Sequence, residues 1–308
     1  MQVSAIASTF DSQEPLLGEL LKDIHSGKIQ LPDFQRPWVW DDERIRSLLA
    51  SVSLSYPIGA IMLLQTGGSA VRFRPRPVQG VVLNGNVYPQ QLILDGQQRL
   101  TSLYGAIMSR NPVNTKDAKN NEIKRWYYLD IKACLDPHTD RFEAVRSIAE
   151  DKCIRTDFGR AIVLDLTTRE KEFEHSMIPM NVMMGTEFAA WRIDYMKYYD
   201  MDPERIDQIT AFERDIWMRF QQYKVPVIRL SNETPKQAVC QVFENVNTGG
   251  VSLTVFELMT ATYAADDFQL QVDWERRRDR LHDLDILKPV GGTEFLQIVT
   301  LLTRYREF

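Results

Sequence analysis

The chain has 308 residues, 44% of them apolar and 26% charged, with a formal net charge of −5. That length supports one large domain or two smaller ones, and the balance is that of a globular protein rather than a disordered one. Nothing in it offers a membrane span or a signal peptide, its three separated cysteines (Cys134, Cys153, Cys240) form no disulfide framework or zinc site, and its four histidines form no ligand pair. A cytoplasmic location is therefore expected, with no membrane partner, and any binding of a polyanion must come from local basic patches rather than the bulk field.

In chain order, residues 14–26 read as a helix with Leu16, Leu17, Leu20, Leu21 and Ile24 on one side. The following segment, Ile29 to Trp40, holds two prolines and no helical period, so it is expected to be extended. Trp38 and Trp40 share one parity there and serve either as core packing or as a stacking wall for a base. Arg36 sits among apolar and aromatic residues and, if buried, needs a partner, either a carboxylate or a phosphate. Asp41 caps a helix carrying Ile45, Leu48, Leu49 and Val52. Pro57-Ile58-Gly59 is a turn, and Ala60 to Leu64 a strand. Arg72, Arg74 and Arg76 alternate, which suits either a solvated edge strand or a row of DNA-phosphate contacts. Val82 to Val87 carries Asn84-Gly85, a hairpin signal.

The next stretch, Gln91 to Tyr104, organises the chain. Leu92-Ile93-Leu94 reads as a buried strand, and Asp95-Gly96 breaks it. Leu100, Leu103, Tyr104, Ile107 and Met108 then fall on one face of a helix. Strand, tight turn and helix thus place Asp95, Gln97, Gln98 and Arg99 at a helix N-terminus, where free N–H groups and the dipole favour an anion. Arg99 adds a planar, permanently charged fork. The same residues also suit a plain cap and a solvated first turn. The chain contains neither GxxxxGK[ST] nor GxGxxG.

Trp126 to Ile131 is a further strand, and residues 132–185 form a loop-rich insertion of short elements. Residues 187–222 are helical, split at Asp202-Pro203, and Val225 to Leu230 is a strand whose Pro226 favours an edge or a start. Thr234-Pro235 opens a helix with Val239, Val242, Phe243 and Val246 on its buried face. Asn245-Val246-Asn247-Thr248-Gly249-Gly250 ends it, and Thr254 to Glu257 caps the next. That joint suits a bare helical hairpin or a place to hold phosphate, ribose or metal-bound water. Arg276, Arg277, Arg278 and Arg280 crowd one probable helix, as a solvated face or a DNA patch. The final residues still read as helix, so the natural chain is expected to continue.

Three blocks occur in order: Leu31-Pro32-Asp33-Phe34-Gln35-Arg36 with Val39-Trp40, then Asp95-Gly96-Gln97-Gln98-Arg99, then Phe243 with Asn247 and Gly250. Together they resemble the N-terminal domain of GmrSD-type modification-dependent restriction proteins, also found in phosphorothioate-sensing phage-defence effectors. The resemblance spans residues 12–308 and implies an α/β fold: a ParB/sulfiredoxin-like small mixed sheet with helices over 1–232, and a mainly helical part over 233–308 that leads into a nuclease. It further implies hydrolysis of a nucleoside triphosphate with Mg²⁺ or another divalent cation, coupled to sensing modified phage DNA, and an HNH-type nuclease as partner, with homo-oligomers possible. In that picture Arg99 and Arg36 clamp phosphates. Asp95 holds the metal or orients water, and Gln97 and Gln98 bind phosphate or place that water. Gln35, Gly96, Asn247 and Gly250 line the nucleotide site. DNA contacts are expected from Arg72, Arg74, Arg276, Arg277 and Arg278. The alternatives are a non-hydrolysing DNA-binding module that regulates a partner nuclease, or a ParB-fold nuclease. No nuclease motif is found in these residues.

Overall fold

The computed structural model describes residues 10–306, apart from 34, 36, 37, 39, 69–72, 158–159, 236–237, 240, 243–253 and 265–267. The elements of the first half are β1 (Phe10–Gln13), α1 (Leu17–His25), β2 (Ile29–Pro32), α2 (Asp42–Ser53), β3 (Ile61–Gln65), β4 (Pro75–Arg76), β5 (Gln91–Asp95), α3 (Gln97–Ile107), β6 (Val113–Lys116) and β7 (Glu122–Asp130). They are followed by α4 (Ile131–Leu135), α5 (Arg141–Ala144), β8 (Val145–Ala149), β9 (Cys153–Thr156), β10 (Ala161–Asp165), α6 (Arg169–Glu174) and β11 (Met177–Pro179). Then come α7 (Glu187–Tyr198), α8 (Pro203–Phe212), a π-helical turn, α9 (Met218–Gln222) and β12 (Val227–Leu230). The C-terminal part is α10 (Val255–Ala264), α11 (Leu270–His282) and α12 (Gly292–Arg306). The fold is thus α/β with a helical C-terminal part.

The main sheet is mixed, in the order β1-β12-β3-β5-β2-β4. Its central strands show why Leu92-Ile93-Leu94 is continuously apolar. Side chains alternate across a strand, and Ile93 enters the large core beneath α1, α2 and α3, while Leu92 and Leu94 enter a second cluster with Leu64, Phe73, Leu230 and Val239. Both faces of β5 are therefore covered. The helical periods behave as expected: Leu17, Leu20, Leu21 and Ile24 of α1 and Ile45, Leu49 and Val52 of α2 are buried. Asp41 accepts from the Arg44 N–H at 2.8 Å, and Asp202 from the Arg205 N–H at 3.0 Å, so both caps form at the expected positions. Pro226 precedes β12, which lies inside the sheet between β1 and β3, so the proline marks a strand start rather than an edge.

Two expectations need revision. Gly85 does turn, with φ 90°, but no strands flank it, because the Gln90 and Gln91 N–H groups go to Lys28 O and β5 pairs with β2 and β3 instead. Residues 132–185 are also more ordered than their weak periodicity suggests. β8 and β11 both pair with β7, whose other partner is β6, and so build a second sheet. The two-residue β4, with Pro75 and Arg76, does form the edge of the main sheet.

Candidate functional site

The main sheet delivers β5 to the turn at Asp95-Gly96. Gly96 takes φ 89° as the N-cap of α3. The left-handed conformation favours glycine, and a Cβ there would also crowd Ile61 Cδ1 of β3. Having passed that turn, α3 starts at once and brings Arg99 back over the end of β5. Arg99 Nη2 donates to Asp95 Oδ2 at 2.9 Å, and Nη1 donates to the carbonyl of Ile58 at 2.7 Å. The two side chains are 17% and 27% exposed, so the pair is shielded yet reachable. Ile58 belongs to the turn before β3, and its neighbour Gly59 has φ 87°. A Cβ on Gly59 would stand 2.5 Å from Arg99 Nη1. The guanidinium thus lies against two left-handed glycines. Sequence reasoning found the Gly59 turn but not this role; the left-handed turn was its only signal.

The rest of the first turn of α3 is polar and yet buried. Gln97 and Gln98 are 8% and 9% exposed, and both are engaged in interactions. Ser102 is buried and donates to Gln98 O at 2.7 Å. It also accepts from Trp38 Nε1 at 3.1 Å, which fastens the Pro-rich segment to α3. Gln35 fastens the same segment to β5: its Nε2 donates to Ile93 O at 2.7 Å and to Leu94 O at 3.1 Å. Gln35 Oε1 is buried with no hydrogen-bond partner among the described residues, and so is Thr101 Oγ1. Buried polar groups are nearly always satisfied. The first turn of α3 is thus a buried polar turn rather than a solvated cap, with two orphaned oxygens on it and on the adjoining segment.

The structure brings Gln35, Asp95, Gly96, Gln97, Gln98 and Arg99 to one place. Arg36, Arg72, Asn247 and Gly250 lie outside the described residues. Trp38 and Trp40 are half-buried and pack on the main core, as the packing alternative expects, but they also line a groove of about 860 Å³. Arg74 is exposed near the sheet edge. Arg276 and Arg277 both pair with Asp273, and Arg278 with Asp279, so helix-mates offset much of that cluster.

For a divalent cation, the donor set at the turn is one carboxylate. Asp95 Oδ2 is taken by Arg99, whereas Oδ1 accepts no hydrogen bond from the described residues. One carboxylate supplemented by phosphate oxygens and water suits Mg²⁺. Among the described residues no three His, Cys, Asp or Glu side chains converge to form an all-protein cage. Thiol chemistry is disfavoured at Cys134, where burial pushes the thiol up to about 11. No helix among the described residues is long and apolar enough to cross a membrane.

The uncharacterized protein MJ0686 of Methanocaldococcus jannaschii is 28% identical over 254 residues, which cover 80% of this chain and 40% of that protein. The chain thus spans less than half the length of that curated relative. The family model described as "GmrSD restriction endonuclease, N-terminal domain" matches residues 17–264, which contain the whole of the site described above. The chain belongs to the GmrSD restriction endonuclease N-terminal domain family.

Proposed function

We propose that this chain is the nucleotide-binding, NTP-hydrolysing and DNA-sensing module of a modification-dependent restriction system, working with an HNH-type nuclease. The observation that carries this reading is the Asp95–Arg99 pair at the start of α3. A phosphate arriving at that helix end meets the positive end of the dipole and an arginine fork already aimed by the Ile58 carbonyl. Phosphoryl transfer asks mainly for positioning and charge neutralisation. Arg99 supplies charge by leaving Asp95 for the phosphate. Asp95, released, orients the attacking water or serves as metal ligand. Gln97 and Gln98 hold phosphate or water. Arg36, Gln35, Gly96, Asn247 and Gly250 complete the nucleotide site. Mg²⁺, when bound, would neutralise phosphate charge at Asp95. A ParB/sulfiredoxin-like nucleotide domain over 1–232 and a cytoplasmic setting belong to the same reading.

The ion pair between Asp95 and Arg99 also suits a second reading. If the Asp95–Arg99 pair never opens, the turn binds phosphate without a free carboxylate, and the chain is a non-hydrolysing module that regulates a nuclease. Phosphate release from each of ATP, GTP, CTP and UTP with Mg²⁺, with and without modified DNA, separates the two. Release above the no-enzyme rate supports hydrolysis. Tight nucleotide binding with no release supports the regulatory module, and neither binding nor release overturns both.

A further inference from the structure

Away from the turn, α2 and the strands β7, β8 and β9 enclose a pocket of about 520 Å³ lined by Arg46, Arg125, Arg146 and Arg155. Four guanidiniums around one space repel each other unless anions intervene, and the protein supplies too few. Arg155 pairs with Asp151. Arg46 stacks on Phe142, 3.9 Å from the ring centre, and spends its donors on the carbonyls of Val145 and Phe142. Glu143 stands 3.9 Å from Arg46 and is mostly exposed. Asp42, the other lining carboxylate, accepts from the Tyr127 and Ser147 hydroxyls at 2.8 and 2.7 Å. Arg125 and Arg146 have no carboxylate partner among the described residues, and Arg125 Nε is buried there without any hydrogen bond. The half-buried Arg125 thus carries a buried donor with no acceptor, which is costly, so this site suits an anion that the protein itself does not provide.

We infer that this pocket binds a backbone phosphate of nucleic acid. A polynucleotide is favoured over a free phosphate by what adjoins the pocket. Arg125 and Ala149 also line the groove that holds Trp38 and Trp40, together with Lys116, Lys124, Glu122 and Glu150, so the two spaces adjoin at Arg125. A phosphate site that opens into a groove with aromatic walls is how single strands and unstacked nucleotides are held. The inference rests on the DNA-sensing part of the function proposed above and gives that DNA a place separate from the Asp95–Arg99 turn. It also reconciles DNA binding with a net charge of −5, because the cations are gathered locally.

The test is protection of arginines in the unaltered protein. Labelling with phenylglyoxal, read by peptide mass spectrometry, is compared for the free protein and with duplex DNA, single-stranded DNA, ATP or inorganic phosphate at equal phosphate concentration. The expected result is protection of Arg125 and Arg146 by DNA and not by ATP or phosphate. In parallel, Arg125→Gln with Arg146→Gln is expected to reduce the log–log salt slope of duplex binding by about 0.9, the value for one phosphate contact, with ATP affinity unchanged. DNA that binds without protecting these arginines overturns the inference and leaves the DNA-sensing reading standing. Equal protection by ATP or phosphate makes the pocket a small-anion site and also overturns it. A protein that binds neither DNA form overturns both the inference and DNA sensing, whereas the ATP arm still reports on the nucleotide turn. If the double variant does not fold, protection in the unaltered protein decides.

Discussion

Arg99 reaches back one helical turn to Asp95, 2.9 Å from Nη2 to Oδ2, across a left-handed glycine that opens the helix between them. The pair makes the turn self-neutralising, and under the function proposed above the carboxylate competes with an incoming phosphate for the same guanidinium edge.

That competition makes Asp95→Asn informative. The substitution keeps the shape and removes the charge that rivals phosphate. Nucleotide affinity is expected to hold or tighten by up to about tenfold, equivalent to about 1.4 kcal/mol, whereas phosphate release falls by at least about a hundredfold, the lower range for a positioned acid or base. Titration calorimetry and a phosphate-release assay on one preparation check both. A variant that hydrolyses at the normal rate removes Asp95 from the chemistry.

Gly59 is expected to matter through Arg99. Gly59→Ala brings a methyl to within 2.5 Å of Arg99 Nη1 and forces φ 87° on a residue that resists it. The backbone strain should cost about 1–3 kcal/mol, and Arg99 can move because its guanidinium is the far end of a flexible side chain. Thermal melting should therefore show a folded, weakened protein, with a larger proportional loss of nucleotide affinity than Gly85→Ala, which sits at φ 90° in open space away from the turn. Equal losses in the two variants would make the Gly59 effect one of strain alone.

Much of this was legible in the sequence, for reasons that particular residues make clear. Periodicity and capping act within a few positions, so α1, α2, the Asp202-Pro203 break and the β5–α3 turn could be read directly. The Ile58–Arg99 contact spans 41 positions, and nothing in either segment names the other. β8 and β11 escaped notice because they are defined by pairing with β7 rather than by alternation of their own. At Asn84-Gly85 a local turn signal was present, but the long-range partners of β5 prevailed over a hairpin. At the site, the motif gave the residues, and only the fold revealed that Gln35 and Trp38 are fastened beside them.

Glu172 provides a test of the second sheet's surroundings by pH. It is 5% exposed and accepts from Tyr128 Oη and Trp191 Nε1, both at 3.2 Å. Burial raises its pKa above the ordinary glutamate value, against the opposing pull of those hydrogen bonds and Lys152. A raised carboxyl pKa favours the fold below the unfolded value, and that contribution fades as pH rises through the folded value. Melting temperatures of the natural protein should therefore fall relative to Glu172→Gln as pH climbs from about 4.3, the unperturbed value, towards neutrality. A constant difference between the two across that range would contradict the assignment.

The most direct test of the nucleotide turn is calorimetric titration of a non-hydrolysable ATP analogue, and the corresponding GTP, CTP and UTP analogues, into the natural protein and Arg99→Ala, with melting curves for both. A charge-assisted contact contributes about 1.5–3 kcal/mol. The account predicts binding of at least one analogue by the natural protein and a loss of about tenfold to a hundredfold in a variant that remains folded. Unchanged affinity in a folded Arg99→Ala protein would contradict it.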